Sequence, residues 1–159
     1  MAKAPILTLK TGDPAPPFKA QASGGRTVTL AEFKGRQVVL YFYPRDNTSG
    51  CTREACGFRD AHARMEAQGA VVLGVSTDSV KSHDQFIEKL GLPFVLLADE
   101  DKEIVKAYGA WGKKKFMGRE YEGIHRVTFL IGPAGKIKRV WPVVKPETHA
   151  AEVLAALAE

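Results

Sequence analysis

Cysteine is scarce in this chain of 159 residues: there are two, Cys51 and Cys56. A fold stapled by permanent disulfides would carry more of them in a shorter chain, so a hydrophobic core has to hold this one. Long apolar runs are also missing. No stretch approaches the roughly 20 apolar residues that span a bilayer. Met1 to Asp13 holds no continuous apolar run of signal-peptide length. The expectation is a cytoplasmic protein that enters no membrane. Charge of one sign is never concentrated. The net charge of +5 is spread along the chain, and its densest run, Lys113-Lys114-Lys115, reads as a solvated loop with nothing that points to nucleic acid. His62, His83, His125 and His149 are dispersed and form no zinc pattern with the cysteines, so no metal is expected. Internal repeats and low-complexity segments are absent as well.

What is present is a globular composition, 45% hydrophobic and 26% charged. That length and composition suit one domain, residues 1–159, with a real core. Pro14-Ala15-Pro16-Pro17 closes an extended N-terminal arm, and Gly24-Gly25 marks a hairpin turn before Thr27 to Leu30. Gln37 to Tyr43 is a nearly continuous apolar run and predicts a central strand buried on both faces. Pro44 ends it, because proline cannot donate to a ladder. From about Thr52 to Gln68 the apolar spacing is helical, with Cys51, Ala55, Phe58, His62 and Met65 on one side and Gly69 as the stop. Ala70 to Ser76 is a second buried strand. Asp78 or Ser79 caps a helix that runs to Leu90 and stops at Gly91. Phe94 to Ala98 predicts a strand, and Asp101 to Tyr108 a helix. His125 to Ile131 and Lys136 to Trp141 form a hairpin around Gly132-Pro133-Ala134-Gly135. Pro146 opens an amphipathic C-terminal helix. Buried strands alternating with helices, closed by a hairpin, predict an α/β protein: a thioredoxin-like fold with a central mixed sheet, helices on its faces, an N-terminal hairpin extension and an extra segment, Ala110 to Ile124.

Both cysteines fall in one segment, Tyr41-Phe42-Tyr43-Pro44-Arg45-Asp46-Asn47-Thr48-Ser49-Gly50-Cys51-Thr52-Arg53-Glu54-Ala55-Cys56, where a strand turns into a helix. A thiol reacts as its thiolate, and an ordinary cysteine holds little of it at neutral pH. The free N–H groups and dipole of a helix start favour the anion. Arg45 and Arg53 are near in sequence, and Arg126 on a later strand can reach the same sheet end. Gly50 removes bulk beside the thiol, and the Thr48 hydroxyl both donates and accepts. Taken singly, each has a plain structural reading: Cys51 as apolar filler, Thr48 as a turn residue or N-cap, Pro44 as a strand end, Arg126 as a surface strand residue. Their convergence on one strand–turn–helix junction favours redox chemistry at sulfur.

Pro44-x-x-x-Thr48-x-x-Cys51 resembles the reactive-cysteine signature of peroxiredoxins. With Cys56 following, YFYPRDNTSGCTREACGFRD is similar to the bacterioferritin-comigratory-protein (PrxQ-type) subfamily. Gly74-Val75-Ser76-x-Asp78, Tyr108-Gly109-x-Trp111-Gly112 and Arg126-x-Thr128-Phe129-Leu130-Ile131 extend the likeness from about Leu9 to Leu157. Gly132 departs from the Asp common after that last strand, in a turn where no catalytic consequence is expected. The resemblance implies a thiol-dependent peroxidase. Cys51 would be the nucleophile toward peroxide and Cys56 the resolving thiol of an intramolecular disulfide. Thr48 and Arg126 would orient the peroxide, and Pro44 would shield Cys51 from water. A thioredoxin-type dithiol would reduce the disulfide. No metal, haem or flavin would take part, and the chain would be a monomer or at most a weak dimer. A Cys-x-x-Cys oxidoreductase is the nearest rival, but Glu54 occupies the position its second cysteine would need. A redox sensor or chaperone-like binding protein that uses Cys51 oxidation as a switch is the rival of another class.

Overall fold

The computed structural model describes residues 7–159; the first six residues of the arm lie outside it. Its central element is the apolar run at 37–42, strand β3, preceded by the hairpin β1 (Lys19–Ala22) and β2 (Arg26–Thr29). Then follow α1 (Ser49–Ala67), β4 (Ala70–Ser76), α2 (Val80–Leu90), β5 (Val95–Ala98), α3 (Glu103–Ala107), β6 (Trp111–Phe116), β7 (Arg119–Ile124), β8 (Val127–Ile131), β9 (Ile137–Trp141) and α4 (His149–Leu157). Seven strands form one mixed sheet in the order β2-β1-β5-β4-β3-β8-β9. Strands β3, β4 and β5 are parallel to one another, and β8 runs antiparallel to β3. This is the thioredoxin-like arrangement expected from the sequence, with the hairpin β1–β2 added at one edge.

Alternation along β3 divides the core in two. Val38, Leu40 and Phe42 enter one cluster, with Ile104, Val105 and Tyr108 from the α3 side. Val39, Tyr41 and Tyr43 enter the other, with Ala55, Phe58, Phe86 and Val153 from α1, α2 and α4. A strand covered on both faces has no polar side to show, which explains its unbroken apolar sequence. Among the described residues, no helix is long and apolar enough to cross a membrane.

Several elements differ from the sequence reading. Helix α1 starts at Ser49, ahead of Thr52, with Thr48 as its N-cap residue. Along its inner face Ala61 is buried, while His62 is only half-buried and lies 3.6 Å from Glu66. Helix α3 is shorter than 101–108, because Lys102 sits at φ 65° and the Asp99 carboxylate accepts from the N–H groups of Ile104 and Val105, which sets the start. Helix α4 begins at His149, and Pro146 occupies the turn before it. Of the two candidate caps of α2, Ser79 is the one that accepts from the Ser82 N–H, and Gly91 ends the helix at φ 65°. Lys113-Lys114-Lys115 lies in a strand and not in a loop: within the extra segment β6 and β7 pair as a separate hairpin, with Lys113 opposite Glu122 and Lys115 opposite Glu120. Its tight turn places Met117 at φ 51°, a conformation more usual for Asn or Gly.

Candidate active site

Strand β3 ends against α1 through the loop at 43–48. Tyr43 still donates its N–H to the Val75 carbonyl, and half-buried Pro44 then carries the chain out of the ladder. Thr48 has extended backbone angles, and the first helical bond runs from the Thr52 N–H to the Thr48 carbonyl. The N–H groups of Ser49, Gly50 and Cys51 therefore lie ahead of the helical ladder at the positive end of the helix dipole. Cys51 sits in this first turn, 1% exposed, its sulfur unbridged.

Arg126 comes from the residue before β8, at the same end of the sheet. Its Nη2 donates to Cys51 Sγ at 3.4 Å, and its Nη1 donates to Glu54 Oε1 at 2.7 Å. Burial pulls the guanidinium pKa down, but the facing Glu54 carboxylate and Cys51 sulfur outweigh it and hold the pKa above its ordinary value. The absence of a side chain at Gly50 makes this approach feasible. A Cβ placed there would lie 3.0 Å from Arg126 Nη2, tighter than ordinary packing. The Thr48 hydroxyl donates to the Arg45 carbonyl at 2.9 Å, which leaves its oxygen lone pairs free to accept. Arg45 is exposed, and Arg53 turns to Glu147 at 2.9 Å on the surface. Of the three candidate cations, the structure brings Arg126 alone to the sulfur. Cys56 is free and half-buried, further along the same helix.

In the sequence, Glu54 marks only the position where a Cys-x-x-Cys enzyme would carry its second cysteine. Its side chain is fully buried, and Oε2 has no hydrogen-bond partner. Burial pushes the carboxyl up to about 7 against the pull of Arg126. The signal was available: position 54 follows Cys51 by three, on the helix face that carries Ala55 and Phe58. A carboxylate on a buried face requires a cation.

A second polar group that the sequence reading passed over lies behind the loop. Among the described residues, Asp46, Asp78 and His83 are the one trio of potential metal ligands, their atoms within 4.8 Å of one another. Those atoms are engaged in hydrogen bonds with one another and with Tyr43, Ser76 and Ser82. This donor set fits a closed hydrogen-bond network better than an open coordination site. His149, at the start of α4, is also buried. Its Nε2 lies 2.8 Å from Thr128 Oγ1, and burial, with the nearby Arg126 charge, lowers its pKa to about 4.

Comparison with known proteins identifies the family. Residues 11–140 match the AhpC/TSA family. The chain is 46% identical over 151 residues to a putative peroxiredoxin Bcp of Coxiella burnetii, covering 95% of this chain and 100% of that one. It is 45% identical to peroxiredoxin Bcp of Bacillus subtilis, covering 95% and 96%. A bacterioferritin comigratory protein of Xanthomonas campestris, studied for alkyl peroxide reduction, superposes with a TM-score of 0.87 at 39% identity, covering 96% of this chain and 98% of that one. The chain accordingly belongs to the AhpC/TSA family as a peroxiredoxin of the Bcp (PrxQ-type) group, a thiol peroxidase that consumes peroxide and a thiol reductant.

Proposed function

We propose that Cys51 is the sulfur that attacks peroxide and that Cys56 resolves the product. The observation that carries this reading is the Arg126 Nη2 to Cys51 Sγ contact of 3.4 Å at a helix N-terminus. A cation and the helix dipole at one buried sulfur favour its anion. In R–O–O–H the Cys51 thiolate attacks the terminal oxygen. The S–O bond forms and the O–O bond breaks, and the electron pair leaves on RO, which takes up a proton to become alcohol, or water when R is hydrogen. Arg126 stabilises the charge as it moves onto the leaving oxygen. The Thr48 hydroxyl, already donating to Arg45, accepts from the peroxide O–H. Pro44, at the start of the loop, limits the access of water to Cys51.

Cys51 is then a sulfenic acid. The Cys56 sulfur attacks it, its proton joins the departing hydroxide, and water leaves as the S–S bond forms. A thioredoxin-type dithiol supplies two electrons and two protons by exchange through a mixed disulfide. The cycle needs one chain, which suits a monomer, and a reducing compartment such as the cytoplasm. Steady NADPH oxidation with thioredoxin, thioredoxin reductase and peroxide tests the cycle. Cys51→Ser should abolish it, and Cys56→Ser should give one oxidation per chain and then stall. Wild-type turnover by Cys51→Ser would overturn the assignment, and a single stoichiometric oxidation of the native protein would indicate a sensor.

A further inference from the structure

Asp46 lies in the loop at 43–48, two residues before Thr48, with its side chain 1% exposed. Both carboxylate oxygens are occupied. Tyr43 Oη donates to Oδ1 at 2.6 Å, Ser82 Oγ donates to Oδ2 at 2.8 Å, and His83 Nδ1 lies 2.8 Å from Oδ2. The Asp46 N–H donates to Asp78 Oδ2 at 2.8 Å. On the far side of the ring, His83 Nε2 lies 2.9 Å from the Leu97 carbonyl. A carbonyl only accepts, so Nε2 carries a proton. A second proton lies between Nδ1 and Asp46. Burial alone would push the Asp46 carboxyl up; the donors His83, Tyr43 and Ser82 reverse this and hold it below the usual range.

The peroxidase cycle described above makes no use of these groups. A buried charged pair is weak evidence for stability, since apolar residues of similar volume often serve as well; its better-attested use is to specify one arrangement. The arrangement specified here is the loop. Asn47, between Asp46 and Thr48, has φ 63°, a left-handed turn conformation that Asn adopts more readily than most residues. The anchors, Ser82 and His83, belong to the first turns of α2, so the loop, which runs on into α1 through Thr48, is also tied to α2.

We propose that the buried Asp46–His83 pair is a positioning device for the peroxidase reaction: it ties the loop of Pro44 and Thr48 to α2 and so fixes Thr48 at the start of the helix that carries Cys51. The proposal rests on Cys51 as the nucleophile. Its test compares two reactions of Cys51 in a Cys56→Ser background, oxidation by hydrogen peroxide and alkylation by iodoacetamide. Both need the sulfur anion, but alkylation does not need Thr48. Asp46→Ala should lower the ratio of peroxide rate to alkylation rate on the order of tenfold or more, as expected for a misplaced positioning group. Asp46→Asn should largely restore the ratio, because its amide N–H can donate to a His83 protonated only on Nε2 while its oxygen accepts from Tyr43. Ser82→Ala removes one tie and should lower the ratio by a smaller factor; it carries the test alone if Asp46→Ala does not fold. An unchanged ratio in folded Asp46→Ala, or in Ser82→Ala when that variant stands alone, overturns the proposal, as does Asp46→Asn that is no better than Asp46→Ala. Peroxide oxidation that persists in Cys51→Ser would instead overturn the nucleophile assignment.

Discussion

At the residue scale, the reactivity proposed for Cys51 depends on what its neighbours leave room for. Gly50→Ala puts a methyl group 3.0 Å from Arg126 Nη2, and the guanidinium has to withdraw from the sulfur. The expected outcome is a folded protein whose peroxide reaction, followed by stopped flow, slows on the order of tenfold or more, because small misplacements in a preorganised site are costly. Arg126→Ala and Thr48→Val each remove a preorganised group outright and should slow the same step on the order of 10²-fold. If these variants react at the native rate, the groups are structural. Glu54 acts through Arg126, which it holds by a 2.7 Å bond. Glu54→Gln keeps an acceptor oxygen and loses the charge, so it should impair the reaction less than Arg126→Ala does.

At the scale of the element, the proposed cycle gives α1 two incompatible duties. Residues five apart on a regular helix have Cα atoms roughly 8–9 Å apart and point about 140° away from each other. A disulfide needs Cα atoms within about 7 Å and converging side chains. Cys51 and Cys56 both lie inside α1, Ser49–Ala67, so a disulfide between them requires this turn to unwind. The cost is visible in the packing: Phe58 packs against Tyr41 with ring centroids 4.6 Å apart and planes tilted by 30°, and Gly57 passes close to Ala150 of α4. Amide exchange over residues 52–60 should therefore be much faster in the oxidised protein and slow again after reduction by a dithiol. Equal protection in both forms, with the bond confirmed by mass spectrometry, would contradict the proposed opening.

At the scale of the whole molecule, two buried titrating groups act on stability with opposite signs. Glu54 has its pKa raised to about 7, so the folded state retains a proton that the unfolded state has lost. Its contribution is fully present below the unfolded value of 4.5 and disappears as pH rises through 7. His149 is lowered to about 4 from 6.5, so its contribution is present above 6.5 and disappears as pH falls through 4. Between pH 4.5 and 6.5 the two slopes oppose each other. Each full shift corresponds to about 3 kcal/mol. The stability difference between His149→Gln and the native protein, from urea unfolding, should therefore shift in favour of the variant by up to about 3 kcal/mol as pH falls from 6.5 to 4. For Glu54→Gln the difference should shift in the variant's favour as pH rises from 4.5 to 7. pH-independent differences would show that these groups titrate alike in both states.

Much of the architecture was decided locally and was legible in the chain. The nearly continuous apolar runs at 37–43 and 70–76, the helical spacing after Cys51 and the stops at Gly69 and Gly91 depend on side-chain periodicity and backbone sterics, which act within a few residues. The segment from Pro44 to Cys56, proposed as the reactive one, stood out in the sequence for the same reason: its parts are contiguous. The hairpin at 111–124 was not, because lysines on both of its faces erase the alternation and a Met–Gly turn gives little signal. Glu54 and the Asp46–His83 pair were also missed. A charged or polar residue reads as exposed until its partner is known, and those partners lie 72 and 37 residues away in sequence. Only the packing of β8 and α2 against β3 brings them together, and burial then gives each pair its chemical character.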